Sequence, residues 1–201
     1  MKDLILLVAD KDMEFVVKEL LQRIHSLKIR IISYDVKVHS NHDPGIYNTS
    51  HDFLRIFIDM YSYAIVMLDR EGCGRDKNSL QIADDIQTKL DNSGWANRSK
   101  VIVLDPELEI WVWSDSPAVA SCLGWDNLEL RNWLQKENYL NPDLQKPYNP
   151  KLVFEKALRI KGKPRSSSIY GKLAQKVSLD RCNDSAFIKF KAILKKWFLN
   201  Q

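Results

Sequence analysis

The sequence predicts an α/β fold: a mostly parallel four-stranded sheet with flanking helices, followed by a helical, basic C-terminal part. Three observations predict it. Residues 4–9, 63–68 and 101–104 are unbroken apolar runs of strand length, the pattern of strands buried on both faces. Helical spacing of apolar residues lies between the runs, as βαβ crossovers require. Beyond Pro106 the strand signal stops and six helical patterns follow.

The first run ends at Asp10-Lys11-Asp12, and Phe15, Val16, Leu20 and Ile24 then repeat at helical spacing, with Asp12 as the expected N-cap. A second strand is expected over 29–34. The polar stretch 38–45 ends in Pro44-Gly45, which reads as a turn, and the next helix is expected over 51–60. The third strand ends at Asp69-Arg70-Glu71-Gly72-Cys73-Gly74. An amphipathic helix over 78–90 follows, with Leu80, Ile82, Ala83, Ile86 and Leu90 on its apolar face. The fourth strand ends at Asp105-Pro106. Helices are then expected over 107–113, 118–123, 127–137, 150–160, 169–177 and 186–198. The reading divides the chain into an α/β domain over 1–115 and a helical extension over 116–201, with a hinge over 141–150.

With 201 residues, 45% hydrophobic and 28% charged, the composition is that of a folded globular chain. Cys73, Cys122 and Cys182 are three, widely spaced and without a CxxC pair, which fits a reducing compartment and not a disulfide framework. No run approaches the roughly 20 apolar residues that span a bilayer, so a cytoplasmic protein with no membrane partner is expected. The net charge of +4 is unevenly spread. Residues 145–201 carry 14 of the 30 Lys and Arg but 3 of the 26 Asp and Glu. The basic part either faces an acidic partner or neutralises the acidic part within the molecule.

Ligands of open parallel sheets bind beyond the carboxyl ends of the strands. Three of the four expected strands end there in acid: Asp10 and Asp12, then Asp69 and Glu71, then Asp105 with Glu107 and Glu109. Carboxylates gathered at one edge repel unless a hard cation neutralises them, and Mg2+ prefers oxygen ligands and water. The metal-ligand candidates are therefore Asp10, Asp12, Asp69, Glu71, Glu107 and Glu109. The competing reading is that each aspartate only caps a helix or turn. His42, beside Asp43, is the candidate general base, with His39 second; Asp10, Asp69, Glu71 and His42 form the expected catalytic set.

The order LLVADKDMEF, AIVMLDREGCG, VIVLDPELEIWVWSD and a basic helical tail resembles the small Toprim-like proteins of bacterial anti-phage defence loci. The likeness is strongest to the small Toprim-like component of methylation-associated defence systems. The resemblance implies a Toprim fold and Mg2+ (or Mn2+) for phosphodiester chemistry. It further implies an Asp-x-Asp motif carried onto Asp69 and Glu71, and a contribution from Glu107 or Glu109. The first-strand glutamate of Toprim domains does not carry over: Ala9 stands there, and Asp10 and Asp12 are the nearest substitutes. The expected function is a Mg2+-dependent nuclease or nucleic-acid-processing subunit of a defence system. The alternative is a catalytically degenerate scaffold for partner proteins or nucleic acid. Expected partners are DNA or RNA and proteins of the same system, such as an ATPase or methyltransferase. The chain itself carries no Walker loop.

In the tail, Lys161, Lys163, Arg165, Ser167 and Lys172 are candidate phosphate contacts, which would give affinity that falls with salt. The competing reading has the serines capping a helix and the lysines solvated. Ser114-Asp115-Ser116 is not read as a hydrolase triad, because no GxSxG elbow accompanies it. The last helix places Phe187, Phe190, Ile193, Leu194 and Trp197 as a packing stripe.

Overall fold

A computed structural model describes residues 1–114, 116–141 and 146–199. The fold is α/β. Its strands are β1 (Lys2–Val8), β2 (Tyr34–Val38), β3 (Tyr61–Asp69) and β4 (Ser99–Leu104), all parallel and ordered β2-β1-β3-β4. The helices are α1 (Lys11–Gln22), α2 (Ile24–Leu27), α3 (His42–Arg55), α4 (Ser79–Leu90), α5 (Glu109–Val112) and α6 (Pro117–Leu123). They continue with α7 (Asn127–Lys136), α8 (Pro150–Ile160), α9 (Ser167–Lys176) and α10 (Ser185–Phe198).

The unbroken apolar runs sit where burial demands them. Leu4 to Val8 and Ala64 to Leu68 are fully buried in the two central strands. The right-handed crossover rule puts α1 on one face of the sheet and α3 and α4 on the other. The C-terminal helices complete the first face: α9 packs on α1 and α10 on β4. A methyl group at Gly171 of α9 would lie 3.4 Å from the Phe15 ring, so this glycine sets how closely α9 approaches α1. Trp197 stacks on Tyr63 at 4.4 Å, and Trp111 donates its indole N–H to Asp184, the N-cap of α10, at 2.8 Å. Buried residues from both halves of the chain join one apolar core.

Two elements depart from expectation. The second strand is Tyr34–Val38, not 29–34. Ile29 and Ile32 are buried, but Ile31 is exposed, and Ile29 forms an isolated antiparallel bridge with Leu199. The segment that pairs with β1 is the alternating Tyr-Asp-Val-Lys-Val, as suits an edge strand with one solvated side. The third helix begins at His42, not at 51, and ends at Arg55. Pro44 lies in its first turn, where a missing N–H costs nothing. Gly45 is needed there because a Cβ would sit 2.2 Å from His39 Nδ1. Asp10, and not Asp12, caps α1, accepting from Met13 N–H at 2.9 Å. The other helices start and end close to their expected positions, although the stretch expected over 107–113 is helical only from Glu109 to Val112. The expected division at 115 and part of the hinge over 141–150 fall outside the described residues. No helix among the described residues is long and apolar enough to cross a membrane.

Phe190 is fully buried on α10. Phe190→Ala is expected to lower unfolding free energy by about 3–5 kcal/mol, measured by denaturant unfolding. A loss under about 1 kcal/mol would mean that α10 is not part of the core.

Candidate functional site

The strand order reverses between β1 and β3, so the crevice beyond their carboxyl ends is where such sheets bind ligands. Register brings two acids together there. Val8 pairs with Met67; Asp69 ends β3 two residues beyond that pair, and Asp10, two residues past Val8, is the N-cap of α1 at the same edge. A third acid comes from α3: Asp43 Oδ1 accepts the Asp69 backbone N–H at 2.7 Å. Gly72 makes room for it, since a Cβ at Gly72 would lie 2.4 Å from Asp43 Oδ2.

Asp69 is 8% exposed and its Oδ1 has no hydrogen-bond partner. Burial, then the charges of Asp43, Glu109, Asp10 and Glu107, push its carboxyl well above the usual carboxylate range. Asp43 is raised too, chiefly by burial and further by Asp10, against the Asp69 N–H that favours its charge. No Lys or Arg among the described residues forms an ion pair with Asp10, Asp43 or Asp69.

Around this inner trio the remaining acids hold cations. Arg165 donates to Asp12 Oδ2 at 2.9 Å, to Glu155 Oε1 at 2.8 Å and to Glu109 Oε1 at 3.3 Å. Glu109, 2% exposed, also accepts from the Tyr170 hydroxyl at 2.5 Å. Burial raises the Glu109 carboxyl, and the Tyr170 hydrogen bond works against the rise. Lys151 reaches the buried Glu107 at 3.2 Å. Glu107 and Lys151 line an open cleft of about 390 Å3, with Glu71, Gly72, Asn149, Leu152 and Glu155.

The expected catalytic and metal residues therefore separate. Asp10 and Asp69 meet. Asp12, Glu107 and Glu109 lie close by but are engaged by Arg165 and Lys151. Glu71 is exposed in the 3-10 turn Glu71–Cys73 and accepts from Arg70, which also holds Asp105 at 2.6 Å. His42 is in place: its Nδ1 lies 3.1 Å from the carbonyl oxygen of Ala9. A carbonyl can only accept, so Nδ1 carries the proton and Nε2 is left as the acceptor of the neutral ring. His42 holds a left-handed φ of 49°, an unfavourable backbone state of the kind found at functional sites. His39 is buried, accepts Asn41 N–H at Nδ1 and faces Thr49 Oγ1 through Nε2, an internal structural role.

Of the tail residues, Arg165 belongs to the acidic edge. Lys161 pairs with Glu129 and lies over the Trp125 ring at 4.4 Å. Lys163 donates to the Cys122 carbonyl at 3.1 Å, Ser167 opens α9, and Lys172 is exposed on the same helix. Sequence reasoning missed Asp43, Lys151 and Tyr170 as site residues. Asp43 lay in plain view beside His42, but reading Pro44-Gly45 as a turn hid the helix that carries it. Nothing local to the sequence marks Lys151 or Tyr170.

Among the described residues, no three His, Cys, Asp or Glu side chains are placed to hold one ion. Mg2+ does not need three, since it is commonly held by one or two carboxylates, waters and substrate phosphate. An all-oxygen donor set around an unpartnered buried carboxylate oxygen fits that cation. No family model matches the chain, and neither a curated protein nor a solved structure is significantly similar to it.

A carboxyl whose native pKa is raised contributes stability below the usual carboxylate range and loses it as pH climbs through the native value. In chelator at pH 7, Asp69→Asn is therefore expected to melt above the wild type, by about 2–4 °C per kcal/mol relieved. The gap should close toward pH 4. A variant that melts lower than wild type by the same amount at both pH values would contradict the buried-charge assignment.

Proposed function

We propose that this chain is a cytoplasmic, Toprim-like subunit of a bacterial anti-phage, methylation-associated defence system. It acts on nucleic-acid phosphodiesters with Mg2+ or Mn2+ at the β1/β3 edge. The observation that carries this reading is Asp69: a carboxylate at the switch point, almost fully buried, with one oxygen unpartnered and only carboxylates as its nearest charges. A buried anion in that company calls for a cation or a proton.

The divalent ion, when bound, would polarise the scissile phosphate and make a water nucleophile available near neutral pH. The chain's own groups supply the rest. Asp69 and its acidic neighbours hold the ion, and Nε2 of His42 accepts a proton from an attacking water. Lys151, at the cleft beside Glu107, is placed to meet a phosphate oxygen of the polymer. DNA or RNA is the substrate class, and proteins of the same system, such as an ATPase or methyltransferase, are the partners. One observation favours a second reading, a non-hydrolytic scaffold: Arg165 and Lys151 already neutralise Asp12, Glu109 and Glu107, so part of the acidic edge serves internal packing.

Cleavage assays on single- and double-stranded DNA and RNA, with partner proteins added, separate the two. The nuclease reading predicts Mg2+- or Mn2+-dependent cleavage that falls by about a hundredfold or more in Asp69→Ala. Equal inertness of wild type and variant on every polymer would leave the scaffold. If the tail also meets nucleic acid, affinity should fall with salt on a log–log plot, and less steeply in Lys163→Glu/Lys172→Glu. Binding indifferent to salt and to these changes would remove the tail from the interface.

A further inference from the structure

We infer that Asp43, at the start of α3, is the partner of Asp69 in holding the divalent ion. The inference rests on the metal-dependent reading above and revises the ligand set expected from sequence. Elimination among the acids supports it. Asp12 and Glu109 accept from Arg165, Glu107 from Lys151, and Glu71 from Arg70 on an exposed turn. Asp10 gives one oxygen to the Met13 N–H as the cap of α1, much as Asp43 gives one to a backbone N–H, but it is Asp43 that is hydrogen-bonded to Asp69 itself. Asp43 is fixed by the Asp69 N–H through Oδ1, which leaves Oδ2 available.

Gly72 stands against Oδ2 of Asp43 where any side chain would collide, at 2.4 Å for a Cβ. The unpartnered Oδ1 of Asp69 is the independent sign of a missing ligand, because buried carboxylate oxygens are otherwise satisfied by hydrogen bonds. Two carboxylates, with water completing the shell, are what Mg2+ commonly takes from a protein. Asp43 follows β2, on the helix that crosses the face opposite α1, and meets the end of β3 at the Asp69 N–H.

The test is Mn2+ binding by the full-length, chelator-treated chain, with free Mn2+ followed by electron paramagnetic resonance and Mg2+ as competitor. Asp43→Asn keeps an oxygen acceptor for the Asp69 N–H while removing the charge. It is expected to weaken Mn2+ at least tenfold and to melt no lower than wild type in chelator. Gly72→Ala, which retains every carboxylate but displaces Asp43 Oδ2, should weaken Mn2+ as well, and it decides the matter if the first variant does not fold. If wild type and both variants bind Mn2+ alike while Asp69→Asn does not, the role of Asp43 is overturned and the metal reading stands. If the wild type binds no Mn2+, both fall together.

Discussion

Repulsion between carboxylates at the carboxyl edge of the sheet is the constraint around which this molecule is arranged. Parallel strands deliver their ends to one place, and here β1, β3 and the segment after β4 each deliver acid. Unrelieved, like charges in a low-dielectric setting cost several kcal/mol. The chain relieves the outer acids with its own C-terminal part: Lys151 from α8, Arg165 from the segment before α9 and Tyr170 from α9 converge on Glu107, Glu109 and Asp12. The basic tail and acidic body, so unequal in charge along the sequence, are partly complementary within the fold.

That complementarity stops short of the inner trio. Asp43 and Asp10 each accept a backbone N–H, and Oδ1 of Asp69 has no partner. A fold that spends an arginine on Glu109 and none on Asp69 treats the two differently. The Glu109 network locks α5 against α9, whereas the Asp69 position keeps a charge deficit facing the crevice. The His42 backbone, held in a left-handed state with its ring proton committed to the Ala9 carbonyl, brings a potential proton acceptor to the same edge.

Much of the fold was legible in the sequence because continuous apolar runs have few interpretations. Residues 63–68 and 101–104 fell inside strands, and the C-terminal helices appeared where apolar spacing put them. The failures are local and physical. Ile29 to Ile32 has strand-like composition, yet Ile31 points to solvent and the edge position went to the more polar YDVKV. Pro44-Gly45 reads as a turn, but proline is also well placed in the first turn of a helix, and the glycine is set by the close approach of His39, a tertiary contact. Of the site, Asp10, Asp69 and His42 could be read from their places after strands. The pairing of Arg165 with three acids could not, since the partners are 153, 56 and 10 residues away along the chain.

The central claim is that the inner carboxylates carry an unmet charge that a proton or a divalent cation satisfies. Carboxyl-carbon NMR of the labelled chain, titrated in chelator and again in Mg2+, reads this directly. The account predicts that the Asp69 signal titrates well above the ordinary aspartate range in chelator, and that Mg2+ shifts the transition downward. An Asp69 that titrates normally and ignores Mg2+ would contradict it.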